Sequence, residues 1–328
     1  MRAVVCRQFG PPDLLTIEEC DVPQPGPGQV RVKVQAAGVN FPDTLLIEGR
    51  YQLKPDLPFT PGSEVAGTVD ATGEGVTGFE VGTAVLGTVP FGAFAEFAIV
   101  EATTLMRRPA SMDPIVAAGF ATTYGTSIHA LTQRAGLQPG ETLLVLGASG
   151  GVGLAAVEIG KAIGTTVIAA ASTPEKLEIA RAAGADHLVN YASCSLKDRV
   201  KELTGGKGVD VACDPVGGDL LEEALRATGW GGRVLTIGFT SGTIPRIPAN
   251  IVLLKGNALV GVHYGPFQKN FPDVNRQNFE QLFAWHAQGK LKPLVSSVFD
   301  LSETTAALKL LASRKAIGKI VLSVGGTQ

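Results

Sequence analysis

The chain has 328 residues, more than one hydrophobic core comfortably organises, so two domains are expected. Hydrophobic residues make up 45% and charged residues 18%, with 41 Gly and 20 Pro, a balance that argues for a compact, turn-rich protein and against disorder. The net charge is -2 with no block of like charges, so no basic stripe is available for nucleic acid or an anionic membrane.

The amino-terminal MRAVVCRQFG lacks the apolar stretch of a signal peptide, and no run approaches the roughly 18 apolar residues of a spanning helix. A cytoplasmic enzyme is expected. Cys6, Cys20, Cys194 and Cys213 are widely separated and form no C-x-x-C pair, so reduced cysteines are expected rather than a disulfide framework or a zinc lobe. Residues 1–120 carry short alternating runs, VRVKVQAAGV, VAGTVDAT and FAEFAIV, broken by turn clusters such as PQPGPGQ; this predicts a mostly β, barrel-like domain.

From about Gly140 the texture changes. Apolar strand-length runs (LLVLG, TVIAAA, HLVNY, VDVACD, RVLTIG) alternate with helix-length segments (GGVGLAAVEIGKAIG, TPEKLEIARAAGA, SLKDRVKELTGG, DLLEEALRATG), the pattern of an α/β doubly wound parallel sheet. ALVGVHYG reads as its last strand; QNFEQLFAWHAQ and TTAALKLLAS read as amphipathic helices and GKIVLSV as a closing strand. The predicted organisation is a catalytic domain over 1–120, a nucleotide domain over 121–264, and a return to the catalytic domain over 265–328.

The turn between LLVLG and its helix reads Ala148-Ser149-Gly150-Gly151-Val152-Gly153, a G-x-G-x-x-G fingerprint with Ala in first place. Small residues there let the backbone approach a pyrophosphate, whose charge the helix N-terminus stabilises. The complete β-α-β context makes a ligand-free glycine turn the lesser alternative. An NAD site places Asp or Glu about 20 residues beyond the loop; this chain has Ala170-Ala171-Ser172-Thr173. With no carboxylate to repel a 2′-phosphate, and with Lys176 one helical turn on, NADPH is the expected cofactor. Ser172 belongs to the same rim, and Tyr191 could add a hydroxyl contact; Lys176 as a solvated helix residue and Tyr191 as a surface residue remain the alternatives.

Several stretches, AAGVNFPD, PGSEVAG, GASGGVGLAAVEIGKAIG, the AGAD at 183–186 and GKIVL, resemble in order and spacing the medium-chain dehydrogenase/reductase superfamily, and its zinc-free NADPH:quinone oxidoreductase branch in particular. The resemblance implies a GroES-like catalytic domain joined to a Rossmann domain. It also implies that Val216-Gly217, Gly238-Phe239 and Val262-His263-Tyr264 line the nicotinamide end, with Thr122 and Asn40 among the cofactor contacts. His263 as a catalytic acid is the lesser alternative to a lining residue.

Zinc-holding members of the superfamily carry ligands at positions that correspond here to Asn40, Ser63 and Ala118. An amide, a hydroxyl and a methyl do not supply the nitrogen and thiolate donors zinc requires, so no metal is expected. Without a Lewis acid the acceptor must delocalise the delivered charge itself, which points to a quinone or another conjugated carbonyl. The resemblance assigns the catalytic residues as Asn40, a donor to the acceptor carbonyl or the nicotinamide ribose; Asp43, which orients Asn40 or its loop; and Tyr51, a hydrogen-bond or proton donor. Simple turn or helix capping is the alternative for Asn40 and Asp43. Leu45 stands where relatives often carry a second tyrosine, which favours an aliphatic enone or enoyl thioester. An NADPH-binding structural or RNA-binding protein is the rival of another class, and the apolar ALVGVHY edge predicts a homodimer.

Overall fold

The alternating valines of residues 30–39 become the strand Gln29–Val39, the spine of a seven-stranded sheet in the computed structural model, which describes residues 1–325. Its first half pairs with Phe97–Glu101 and its second half with Lys319–Ser323 on one side, and it pairs with Glu64–Thr72 on the other, all antiparallel. Two register shifts against Glu64–Thr72 curl the sheet toward a barrel, because each extra residue sharpens the local twist. Inward valines and leucines, among them Val32, Val65, Val85, Val100 and Leu322, fill it. One pair departs from the antiparallel pattern: Val295–Asp300 runs parallel to Lys319–Ser323.

The second sheet has six strands, all parallel, in the spatial order His187–Asn190, Thr166–Ala171, Thr142–Leu146, Val209–Asp214, Thr228–Thr236, Ala258–Gly261. Helices Gly151–Ile163, Pro174–Ala182, Leu196–Leu203 and Asp219–Ala227 connect them. In chain order this is 3-2-1-4-5-6, the doubly wound nucleotide arrangement, whose connection reverses direction beside Thr142–Leu146. Strand interiors such as Leu143–Leu146 are fully buried, as a sheet covered on both faces demands.

The first compact unit comprises Met1–Thr122, Gln268–Pro272 and the chain from Pro293; the second comprises Thr123–Phe267 and Asp273–Lys292. The return to the first unit is thus more broken than the 265–328 boundary predicted from sequence. Helix Pro272–Ala287 buries Phe279 and Leu282 in the second unit, where Asn278 exchanges amide hydrogen bonds with Gln133 at 3.0 and 3.2 Å. The predicted last strand is shorter too: it ends at Gly261, and Tyr264–Asn270 is helical. The four cysteines are unpaired, and no helix among the described residues is long and apolar enough to cross a membrane.

Candidate functional site

In the second unit, the strand Thr142–Leu146 delivers the chain to Gly147, whose φ of +57° starts the tight turn into helix Gly151–Ile163. The Gly150 N–H closes that turn on the Gly147 carbonyl at 3.0 Å. A Cβ at Gly153 would collide with the Gly147 oxygen and stand 2.8 Å from the Ala148 Cα, so close helix–strand packing requires glycine there. At Gly150 the nearest atom to an added Cβ is 3.5 Å away, leaving space beside the helix N-terminus. The first-turn N–H groups of Gly151 and Val152, with no carbonyl one turn earlier, remain for an anion. The Val152 carbonyl accepts from Ser127 Oγ at 2.9 Å, which fixes the first turn, while Ser149 is buried in the loop.

At the end of strand Thr166–Ala171, the Thr173 hydroxyl caps the next helix by accepting from the Lys176 N–H at 3.4 Å. The Tyr191 side chain meets the Ser172 hydroxyl, so two of the residues expected on the phosphate rim are brought together. Burial pushes the Tyr191 phenol up, which keeps it neutral. Beyond the switch point, Asp214 Oδ1 accepts from the Val216 and Gly217 N–H groups at 2.7 and 2.9 Å, locking the turn that the resemblance assigns to the nicotinamide ribose. Gly217, at φ +70°, packs against Phe239, because a Cβ would lie 2.7 Å from its ring. Gly238 and Phe239 are half-buried on the adjoining segment, Val262 is buried and His263 is exposed. The Tyr264 hydroxyl donates to Asn275 Oδ1 at 3.1 Å in the interior and its ring packs on Gly125, so it is the backbone of Val262-His263-Tyr264 that the resemblance turns toward the nicotinamide.

The first unit holds a separate polar cluster. Asn40 precedes helix Phe41–Ile47 and is only 6% exposed. Its backbone N–H donates to Asp43 Oδ2 at 2.7 Å, the reciprocal half of a helix cap. The Asn40 Nδ2 donates to Glu64 Oε2 at 3.0 Å and to the Gly38 carbonyl at 3.3 Å, while Oδ1 accepts from Lys319 Nζ at 2.7 Å. Lys319 Nζ also donates to Glu64 Oε2 at 3.0 Å and to the Val39 carbonyl at 3.1 Å, so its three protons are committed. Glu64 Oε1 accepts from the Thr122 N–H at 2.8 Å. The amide expected to donate to an acceptor is therefore turned into a buried network, and the Thr122 N–H is engaged as well.

Asp43 is almost completely buried, and its Oδ1 has no hydrogen-bond partner. Burial pushes its carboxyl up to about 7, against the pull of the Asn40 N–H, the Ser63 side chain and the Lys319 charge, and with a further push from Glu64. Half-buried Tyr51 packs against the same core, and burial together with the Asp43 charge raises its phenol. Sequence reasoning missed Glu64 and Lys319. Their signal was there: each is a charge that opens a largely apolar strand run, EVAGTV and KIVL, and a charge buried there needs a partner.

The three positions corresponding to zinc ligands do not fit the metal. The Asn40 amide is held by Glu64 and Lys319, Ser63 offers a hydroxyl and Ala118 a buried methyl. Among the described residues, no group of three or more His, Cys, Asp and Glu side chains is arranged to hold an ion.

Two family models match this chain: a zinc-binding dehydrogenase model over residues 151–281 and an alcohol dehydrogenase GroES-like domain model over residues 26–110. It is 39% identical over 324 residues to the quinone oxidoreductase-like protein 2 homolog of Nematostella vectensis, covering 98% of this chain and 88% of the relative. It is 34% identical over 329 residues to the quinone oxidoreductase of Homo sapiens, covering 98% and 97%. The crystal structure of Escherichia coli quinone oxidoreductase complexed with NADPH superposes with a TM-score of 0.91 at 28% identity, covering 98% of this chain and 100% of the other.

Proposed function

Because the chain belongs to the medium-chain dehydrogenase/reductase superfamily, in its quinone oxidoreductase-like branch, we propose that this NADPH-using oxidoreductase passes hydride to a quinone without a metal ion. NADPH supplies the hydride. The chain's own task is to bind the cofactor, orient the acceptor and manage one proton.

The glycine turn and the helix Gly151–Ile163 receive the pyrophosphate, and Ser172, Lys176 and Tyr191 receive the 2′-phosphate, where no carboxylate opposes it. The turn at Val216-Gly217, braced by Asp214, and the segments at Gly238-Phe239 and Val262-His263 take the nicotinamide end. Tyr51 donates a hydrogen bond to the acceptor oxygen. Asn40 acts by holding Asp43 and Lys319 in place.

The observation that carries the metal-free reading is the donor set: an amide locked between Glu64 and Lys319, a serine and an alanine replace a cation site. An acceptor reduced there must spread its own negative charge, as a conjugated carbonyl does. Leu45 favours a second reading, reduction of an enone, enal or enoyl thioester, since it leaves that helix face more apolar. The test is NADPH oxidation with 1,4-naphthoquinone and with an enone side by side. Faster turnover of the quinone is expected; turnover of the enone alone selects the second reading, and turnover of neither refutes both.

The exposed strand Ala258–Gly261, with Leu259, Trp230, Leu253 and Leu254 also exposed, supports a homodimer formed by pairing this edge with a second copy. Light scattering at micromolar concentration should give twice the chain mass, and Leu259→Lys should give the single mass.

A further inference from the structure

The polar cluster of the first unit contains two buried carboxylates and one buried cation. Lys319 cannot serve both. Its three N–H bonds go to Glu64, Asn40 and the Val39 carbonyl, so it neutralises Glu64 and gives Asp43 no hydrogen bond. Glu64 is further satisfied by the Thr122 N–H and the Asn40 amide. Asp43 Oδ2 accepts from the Asn40 N–H and the Ser63 side chain stands against the carboxyl group, while Oδ1 is buried with no hydrogen bond of its own.

An ionised carboxylate in that position would have no cation bonded to it, only the Lys319 charge at a remove, and no donor on Oδ1. A protonated one satisfies the cap through Oδ2 and points an O–H from Oδ1. Such a neutral acid, kept from ionising by an apolar site, is one of the ways proteins hold a proton ready at neutral pH. The groups facing Asp43 are few: the Asn40 N–H on its own helix, Ser63 and Glu64 from the adjoining strand segment, Lys319 from the closing strand, and Tyr51 beyond the helix. Ser63 and Tyr51 are both uncharged at working pH and partly exposed, and of the two it is the Ser63 side chain that meets the Asp43 carboxyl group.

We propose that Asp43 carries a proton in the resting protein and passes it, through the Ser63 hydroxyl, to the acceptor oxygen that becomes negatively charged on hydride uptake. The proposal rests on the reductase reading above and names the proton path for that same reaction. The acceptor gains two electrons and one hydrogen nucleus as hydride; its oxygen then takes the Ser63 hydroxyl proton as a new O–H bond forms. Ser63 recovers a proton from the Asp43 carboxyl group as its Oδ1–H turns to the serine oxygen, so no free alkoxide accumulates, and the buried Asp43 carboxylate left behind is reprotonated from water by way of the partly exposed Ser63. Asp43 is thus a positioning and proton-storing residue, and Ser63 touches the acceptor oxygen together with Tyr51.

The test uses the full-length protein and its Asp43→Asn and Ser63→Ala variants. Asparagine can still accept the Asn40 N–H through its carbonyl oxygen but cannot ionise or deliver a proton. With saturating NADPH and 1,4-naphthoquinone, wild-type kcat should fall about tenfold per pH unit above the Asp43 titration, whereas Asp43→Asn should be roughly a hundredfold slower in acid and independent of pH. Ser63→Ala should lose a similar factor. An Asp43→Asn profile matching wild type overturns the proposal, and so does a Ser63→Ala variant with the wild-type rate, which decides the matter if Asp43→Asn does not fold. Difference infrared spectra give an arm that does not depend on turnover: wild type should show the carbonyl stretch of an un-ionised carboxyl group that disappears as pH rises and is missing from Asp43→Asn. If wild type reduces neither quinone nor enone, the reductase reading falls, while the infrared band still reports the protonation of Asp43. Absence of that band overturns the proton store itself.

Discussion

Replacing Lys319 by methionine isolates the most heavily committed group of the first unit. The stem's volume is kept and the ammonium is lost, together with hydrogen bonds of 2.7, 3.0 and 3.1 Å to Asn40, Glu64 and Val39. The side chains of the ion pair are 7% and 0% exposed, so water cannot take the missing role. Removing one partner of a buried pair costs about 3–5 kcal/mol, because the other charge stays in a poorly solvating interior. Here the Thr122 N–H and the Asn40 amide still serve Glu64, which argues for the lower end, about 3 kcal/mol. For a cooperative unit of roughly 150–250 residues that corresponds to a fall in Tm of about 10 °C. Urea titration and calorimetry at neutral pH measure it. The double variant Glu64→Gln/Lys319→Met should recover about 1–2 kcal/mol, since the uncompensated charge is gone while the amide still accepts from Thr122. A cost below about 1 kcal/mol for the single variant, or a double variant no better than the single, would refute the assignment of Glu64 and Lys319 as a coupled buried pair.

The Asp43 carboxyl rises from 3.8 to about 7 on folding, so the folded state binds more protons between those values. Its contribution to stability is therefore present in acid and lost as pH rises through the folded value, by about 2–3 kcal/mol between roughly pH 5 and 8; urea midpoints should show this slope and Asp43→Asn should lack it. Gly153→Ala drives a methyl group into the Gly147 carbonyl, and it should weaken NADPH binding at least about tenfold in a fluorescence titration, with wild-type affinity counting against the close packing at that turn. Lys176→Ala should raise the Kd for NADPH by about tenfold, equivalent to 1.4 kcal/mol, and leave NADH unchanged; equal effects on both would remove Lys176 from the 2′-phosphate.

Much of this protein was legible before folding was considered. The near-continuous apolar runs at Leu143–Leu146 and Val167–Ala171 can satisfy their burial only in a sheet covered on both faces, and the glycine turn between strand and helix marks where an anion is received. The alternation around Val30–Val39 likewise declares a strand with one face in a core. Periodicity is local, so elements whose residues lie within one window could be read. The boundary of the last parallel strand was harder, because ALVGVHYG is apolar throughout and only pairing with Thr228–Thr236 decides that it ends at Gly261.

The tertiary structure decided what the polar residues do. Asn40 reads as a free amide in AAGVNFPD; Lys319, 279 residues further on, binds its Oδ1, and Glu64 takes its Nδ2. Tyr264 closes the run ALVGVHY, and only Asn275 and Gly125 decide that its phenol lies in the interior. The allotment of helix Pro272–Ala287 to the second unit likewise depends on which surface its apolar stripe meets. In each case the deciding interaction joins residues whose distance in space is set only by folding, and hydrogen-bond commitment depends on that distance. Sequence by itself determined the elements and the chemistry available; the three-dimensional packing determined which donors are spent, which carboxyl group is left uncompensated, and therefore where a proton can be held.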